Sequence, residues 1–215
     1  MPVDGVLGVG VERWLAFTVT EAAVSLTPGP AVALVVGYGL ARGQRQALLA
    51  SLGILTANLF YFALLAAGLL ALIAGNPLLF AWIKWGGVAW LAWLGIAAWF
   101  GHASPLRIAT RADGEPPAFW TVYSSGLGLQ LANPKVMLSF LAVLPPFVDA
   151  SAPAGPQMLV FAASSVIPEF LILAAYGWFG AKAAPLLARP GYADVTERVA
   201  GTLMLLAAIG IALVT

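Results

Sequence analysis

The sequence predicts an all-α membrane protein: six transmembrane helices as two inverted three-helix repeats, with broken helices one and four. Three observations carry that expectation. Of the 215 residues 61% are apolar and only 9% charged, against roughly 25% charged in a soluble domain. The apolar residues fall into six runs long enough to cross a bilayer, about 20 residues each. The first and fourth runs are each interrupted near the middle by proline beside a capping residue.

The six runs cover residues 14–40, 47–74, 77–100, 121–147, 157–181 and 195–214. None alternates polar and apolar residues with a turn every ten, so a barrel is not expected. Asp4 and Glu12, with no basic stretch before the first run, argue against a cleaved leader, and run one is expected to stay. Basic residues set the orientation. Arg42 and Arg45 follow run one, Arg107 and Arg111 follow run three, and Lys182, Arg189 and Arg198 surround the gap after run five. The opposite loops hold almost none, with Arg13 in the N-terminal tail and Asp149 between runs four and five. The basic loops are therefore expected to be cytoplasmic and both termini outside. Trp14, Trp82, Trp85, Trp99, Trp120 and Trp178 fall near run ends as an interfacial belt, whereas Trp90 and Trp93 read as packing residues.

The whole chain, 1–215, is expected to be a single transmembrane domain. Repeat one covers about 11–100 and repeat two about 121–215. They are joined by a cytoplasmic linker at about 101–120, where Pro105, Gly114, Pro116 and Pro117 disfavour helix. The one histidine, His102, opens that linker as an ordinary solvated residue. A net charge of +1 excludes the basic footprint of a nucleic-acid binder, and the lack of cysteine excludes thiolate metal sites and cysteine nucleophiles. No metal motif or nucleophile–base pair marks an enzyme, and no cofactor is expected. Glycines such as Gly86, Gly87, Gly95, Gly126, Gly128 and Gly201 read as places for close helix packing. Lys84, near the outer end of run three, reads as a snorkelling lysine.

An odd number of spans per half makes the second half cross in the opposite sense to the first. Paired breaks at matching places of two such halves point to a transporter's binding site. Run one breaks at Thr27, Pro28, Gly29 and Pro30, and run four at Asn133 and Pro134. Threonine or asparagine before proline reads as an N-cap and first helical position, so each break is expected to start a new half-helix. The free N–H groups, near Ala31 and Val32 in one half and Lys135 and Val136 in the other, would present positive charge, to which Lys135 adds a full one. Two such ends would suit a carboxylate. Charged and polar groups inside the membrane are read as functional. Glu21 lies two turns before Pro28, Glu169 follows Pro168 in run five, Asn58 is central in run two, and Gln130 precedes the second break. The glutamates are the candidates for holding a substrate ammonium or exchanging a proton.

The residues also resemble those of the LysE/RhtB translocators, exporters of lysine, threonine, homoserine and related amino acids. The likeness rests on Pro28-Gly29-Pro30, Arg42-Gly43, Lys84-Trp85-Gly86 leading to Leu94-Gly95, and Asn133-Pro134-Lys135 followed by Leu144-Pro145 and Phe147. It implies a multi-pass transporter of the bacterial inner membrane, driven by protons, that exports an amino acid or similar small molecule. Lipid and substrate are then the partners, and a second copy of the chain is admissible. Ala31 stands where the family commonly has Asn, Asn58 where it has Asp, and Trp90 where it has Tyr. The missing acid at 58 favours a neutral over a cationic substrate. A divalent-cation exporter of the wider superfamily and a non-transporting assembly subunit are the alternatives.

Overall fold

The computed structural model describes residues 5–6, 8–27, 29–68, 76–100, 117–149 and 151–187, and positions 198, 201–202, 205–206, 208–209 and 212. A two-stranded antiparallel hairpin, β1 (Gly5–Val6) and β2 (Val9–Gly10), turns through Gly8 at φ 85°. Then come α1 (Val11–Leu26), α2 (Pro30–Arg42) and α3 (Gln44–Ala66). α4 (Pro77–Trp99), α5 (Phe119–Leu131), α6 (Pro134–Leu138) and α7 (Ala154–Leu187) follow. α1 and α2 meet at 56°, so the first run is broken where the prolines stand. The second break separates α5 from α6. Beyond it the helix widens into a π turn, Ser139–Val143, and tightens into a 3-10 turn, Pro145–Phe147.

α3 and most of α7 are each long and apolar enough to cross a bilayer, and α1 with α2 makes a third crossing if the bent pair is one span. Of the run expected at 47–74, α3 ends at Ala66 and Gly68 follows at φ 87°, while 69–74 lie outside the described residues. The run at 157–181 is longer than expected, since α7 continues to Leu187 through Pro168 and Pro185. Run six and the linker with His102, Arg107 and Arg111 lie largely outside the described residues. What is described of run six is helical and packs on α4: Trp99 Nε1 donates to Thr202 Oγ1 at 3.1 Å.

In lipid there is no hydrophobic drive between helices, so association depends on close packing and interhelical hydrogen bonds. Glycines supply the close approach. A Cβ at Gly53 would collide with the main-chain oxygen of Tyr123, and one at Gly126 with that of Ala50, which fixes α3 against α5. Gly180 does the same for α7 against α2, a Cβ there falling 2.8 Å from Val36 O, while one at Gly177 would strike the Ala47 side chain of α3 at 2.6 Å. Gly95 sits against Gly201 and Leu205. Gly86 and Gly128, expected to serve packing as well, have nothing within 4 Å. Gly43, at φ 81°, turns α2 straight into α3 in a conformation that L side chains rarely adopt.

Two packed clusters result. Val32, Leu34, Val35, Tyr38, Ala50, Ile54, Val122 and Leu173 join α2, α3, α5 and α7. Val9, Phe17, Phe62, Phe140, Leu144 and Phe161 join the hairpin, α1, α3, the π turn and α7. The polar cavity lies where the two meet. Trp93, read as a packing residue, is 51% exposed on α4, while the Lys84 and Trp90 side chains lie outside the described residues.

Candidate functional site

A helix that stops inside a membrane leaves carbonyls at one end and N–H groups at the next start without helical partners. The two breaks place such groups around one cavity of about 50 Å³, room for a few waters at on the order of 10–15 Å³ each. Glu21, Thr27, Gly29, Pro30, Ala31, Asn58, Gln130, Asn133, Lys135 and Glu169 all line it. Of the other residues singled out in the sequence, Pro28 and the side chain of Pro134 lie outside the described residues.

The two helix starts differ. Asn133 caps α6 as expected: its Oδ1 accepts from Lys135 N at 3.1 Å, with proline at the first helical position. The corresponding expectation for Thr27 is corrected. Thr27 ends α1, its hydroxyl donating back to Ala23 O at 3.2 Å, and Gly29 is the N-cap of α2, which starts at Pro30. The physical reason is that Gly29 also precedes a proline. Glycine has no side chain to cap with, and no side chain caps this end. Among the described residues the N–H groups of Ala31 and Val32 meet no acceptor, so the start of α2 is the less satisfied of the two. At α6 the first N–H groups are occupied, Val136 N donating to Asn133 O at 3.1 Å. The expected symmetry of two open helix ends is thus reduced to one.

Lys135 does not simply project into the cavity. Its ammonium donates to Thr27 O at 2.9 Å and Val24 O at 3.2 Å, at the carbonyl end of α1, where the helix dipole favours a cation. An ammonium carries three hydrogens, and these bonds use two. Lys135 Nζ is also 3.6 Å from the position a Cβ would take on Gly29, so the lysine crosses from one break to the other. It lies in the field of both Glu169 and Glu21.

The acids are held on different elements. Glu21, half-buried on α1, accepts from Ser165 Oγ at 3.0 Å. Glu169, one turn beyond Ser165 on α7 and 8% exposed, accepts from Asn58 Nδ2. Asn58 Oδ1 in turn accepts from Gln130 Nε2 at 2.9 Å, and Gln130 Oε1 from Asn133 Nδ2 at 3.2 Å. Among the described residues no three His, Cys, Asp or Glu side chains gather as a metal ion would need.

Several contributors escape a reading of sequence alone. Ser165 and Ser139, the latter at the start of the π turn, carry no local signal. Phe17, Phe140 and Leu144 make an apolar wall. Phe17 stands against Phe161 and Phe147 at 4.7 and 5.5 Å between centroids, and Phe62 against Phe140 at 4.7 Å. Beyond this wall Arg13 bonds Asp149 at 2.9 Å. Two tyrosines close the broken helices from outside: Tyr176 donates to Leu26 O at 3.0 Å and Tyr61 to Leu131 O at 2.6 Å. Tyrosine at the proper turn of a neighbouring helix is a signal that could have been sought.

Comparison with known proteins identifies the scaffold. Residues 22–215 match the family described as LysE type translocator. A Vibrio cholerae protein described as an uncharacterized membrane protein is 29% identical over 91% of this chain and 94% of its own length. The homoserine/homoserine lactone efflux protein of Salmonella typhimurium is 25% identical over 91% and 93%. The leucine efflux protein of an Enterobacter species is 28% identical over 76% and 77%. No solved structure matches the chain. The chain belongs to the LysE type translocator family, and is a membrane transporter rather than an enzyme.

Proposed function

We propose that this chain exports small neutral amino acids across the bacterial inner membrane by alternating access, in exchange for protons. One observation carries the reading: an ammonium and two carboxylates, from three different elements, face one cavity where two membrane helices break. The substrate carboxylate docks on the N–H groups of Ala31 and Val32, beside the third hydrogen of Lys135. Its ammonium takes Glu21 or Glu169, and its side chain meets Phe17, Phe140 and Leu144. A neutral side chain suits that wall, in keeping with relatives named for homoserine and leucine efflux. A proton and a substrate ammonium compete for the same carboxylate, so loading one expels the other, which is antiport.

In this reading the chain has six spans in two inverted halves, with both termini outside. The matched tyrosines support it, since Tyr61 in span two closes the first piece of span four and Tyr176 in span five closes the first piece of span one. With the Arg13–Asp149 end outside, the aromatic wall closes the cavity toward the periplasm, a state ready to load from the cytoplasm. Lys135 weighs against the divalent-cation alternative, because a fixed ammonium repels a metal ion from the same space.

The test is efflux of labelled leucine or homoserine from proteoliposomes holding only this chain. Efflux is expected to accelerate when the outside is made acidic, and to stop in Glu21→Gln at normal expression. A chain that releases neither amino acid under any gradient, while its expression changes the metal tolerance of cells, belongs to the cation reading.

A further inference from the structure

We infer that Gln130 is a positioning residue that ties the state of Glu169 to the break in span four. Four hydrogen bonds run in series from α6 to Glu169. Lys135 N donates to Asn133 Oδ1, Asn133 Nδ2 to Gln130 Oε1, Gln130 Nε2 to Asn58 Oδ1, and Asn58 Nδ2 to Glu169 Oε2. Asn133, Gln130 and Asn58 are 2%, 1% and 3% exposed, so bulk solvent does not interrupt the series.

Its direction is set by its ends. A main-chain N–H can only donate and a carboxylate accepts, so each amide between them must turn its oxygen toward α6 and its nitrogen toward Glu169. Bonds ordered in this way polarise one another. A carboxylate that gains a proton or a substrate ammonium becomes a poorer acceptor, and the loss passes along the amides to the Asn133 cap. From that capped turn Lys135 reaches across to Val24 O and Thr27 O at the end of α1. Occupancy of Glu169 thereby governs the hold of one break on the other. The middle position needs a side chain that donates and accepts at once over this reach, which glutamine supplies and glutamate, when ionised, does not.

The inference rests on the proposed role of Glu169, but its test needs no substrate and so stands or falls separately from the transport assay. The chain has three lysines, Lys84, Lys135 and Lys182, so ¹⁵N-lysine labelling in lipid nanodiscs yields three main-chain amide resonances. Lys135→Arg assigns the one of interest. The charged groups facing Glu169 are Glu21 from α1 and Lys135 from α6. In the wild type the Lys135 amide resonance should move with pH. The movement should persist in Glu21→Gln and vanish in Glu169→Gln. In Gln130→Met, which keeps the volume and leaves every facing charge in place, it should vanish too. Gln130→Glu, which regains its donor only when protonated, should move with a different midpoint. Unshifted Lys84 and Lys182 resonances report an intact fold; should Gln130→Met lose them, Gln130→Glu decides. A wild-type resonance that ignores pH, a Gln130→Met titration like that of the wild type, or a Gln130→Glu curve that coincides with it overturns the inference.

Discussion

Lys135→Met removes the cavity's cation while keeping the reach of the side chain. The ammonium makes two hydrogen bonds, to Thr27 O at 2.9 Å and Val24 O at 3.2 Å, each contributing about 1.5–3 kcal/mol with a charged donor. Val24 O keeps a partner, Thr27 N at 3.1 Å, so one acceptor rather than two is stranded. Against the loss of about 3–6 kcal/mol stands relief of roughly 2.5–3.5 kcal/mol for holding a lysine within the membrane. The net lies between about 0 and 3.5 kcal/mol of destabilisation, centred near 1.5, small enough for the variant to fold and insert. Transport is affected more. Losing a charged hydrogen bond to the substrate carboxylate, about 1.5–3 kcal/mol, slows efflux roughly 10- to 100-fold. Initial efflux rates from leucine-loaded proteoliposomes, beside thermal unfolding of the same preparation, separate the two effects. Efflux within about twofold of wild type, or a fall matched by loss of folded protein, would refute the reasoning.

Gly53→Ala drives a methyl into the main chain of α5 and should cost about 1–3 kcal/mol or more, seen as a lower melting temperature in detergent. Gly128→Ala meets nothing within 4 Å and should be neutral or stabilising by up to about 1 kcal/mol. Asn133→Ala should destabilise by about 1–3 kcal/mol, losing a helix cap and stranding Gln130 Oε1, whereas Thr27→Val should have little effect because Thr27 caps no helix start. The hydroxyl and N–H of Ser151, with Arg13, hold the Asp149 carboxyl down to about 2, below its ordinary 3.8. A depressed carboxyl stabilises the fold above its unfolded value and loses that contribution as pH falls from about 4 through 2. Asp149→Asn should accordingly remove that acid-range dependence from melting curves and lower stability at neutral pH by the same amount, a small one because the group is exposed.

Much of the site was legible because a broken membrane helix needs an explicit sequence device. Proline removes an N–H, and asparagine beside it supplies the replacement, so the start of α6 could be read to the residue. The first break was read two residues early, because Thr27-Pro28 and Gly29-Pro30 both present a residue followed by proline, and only the path of α1 decides between them. Asn58, Gln130 and Glu169 stood out because polar groups in lipid are costly. That they bond one another is a property of helix packing, which single positions do not encode. The same holds for Ser165, Tyr61 and Tyr176, whose partners lie on other elements. The π turn after Leu138 followed from no motif at all, and Leu144 N reaching back to Ser139 O at 3.3 Å marks it. Glycine packing was legible only in part: Gly95 and Gly126 stand at helix crossings as expected, Gly86 and Gly128 do not, and Gly53, Gly177 and Gly180 do so with no motif to mark them.

The central claim is that substrate binds between the two breaks. Solid-state NMR distance measurement tests it most directly, with ¹⁵N on the lysine ammonium groups and ¹³C on the carboxyl of bound leucine in lipid bilayers. Binding between the breaks predicts dipolar contact with Lys135 alone, at a carbon–nitrogen separation under about 5 Å as a hydrogen-bonded pair requires, abolished in Lys135→Met. Saturating leucine that leaves the Lys135 ammonium untouched, or a contact that survives in Lys135→Met, would contradict it.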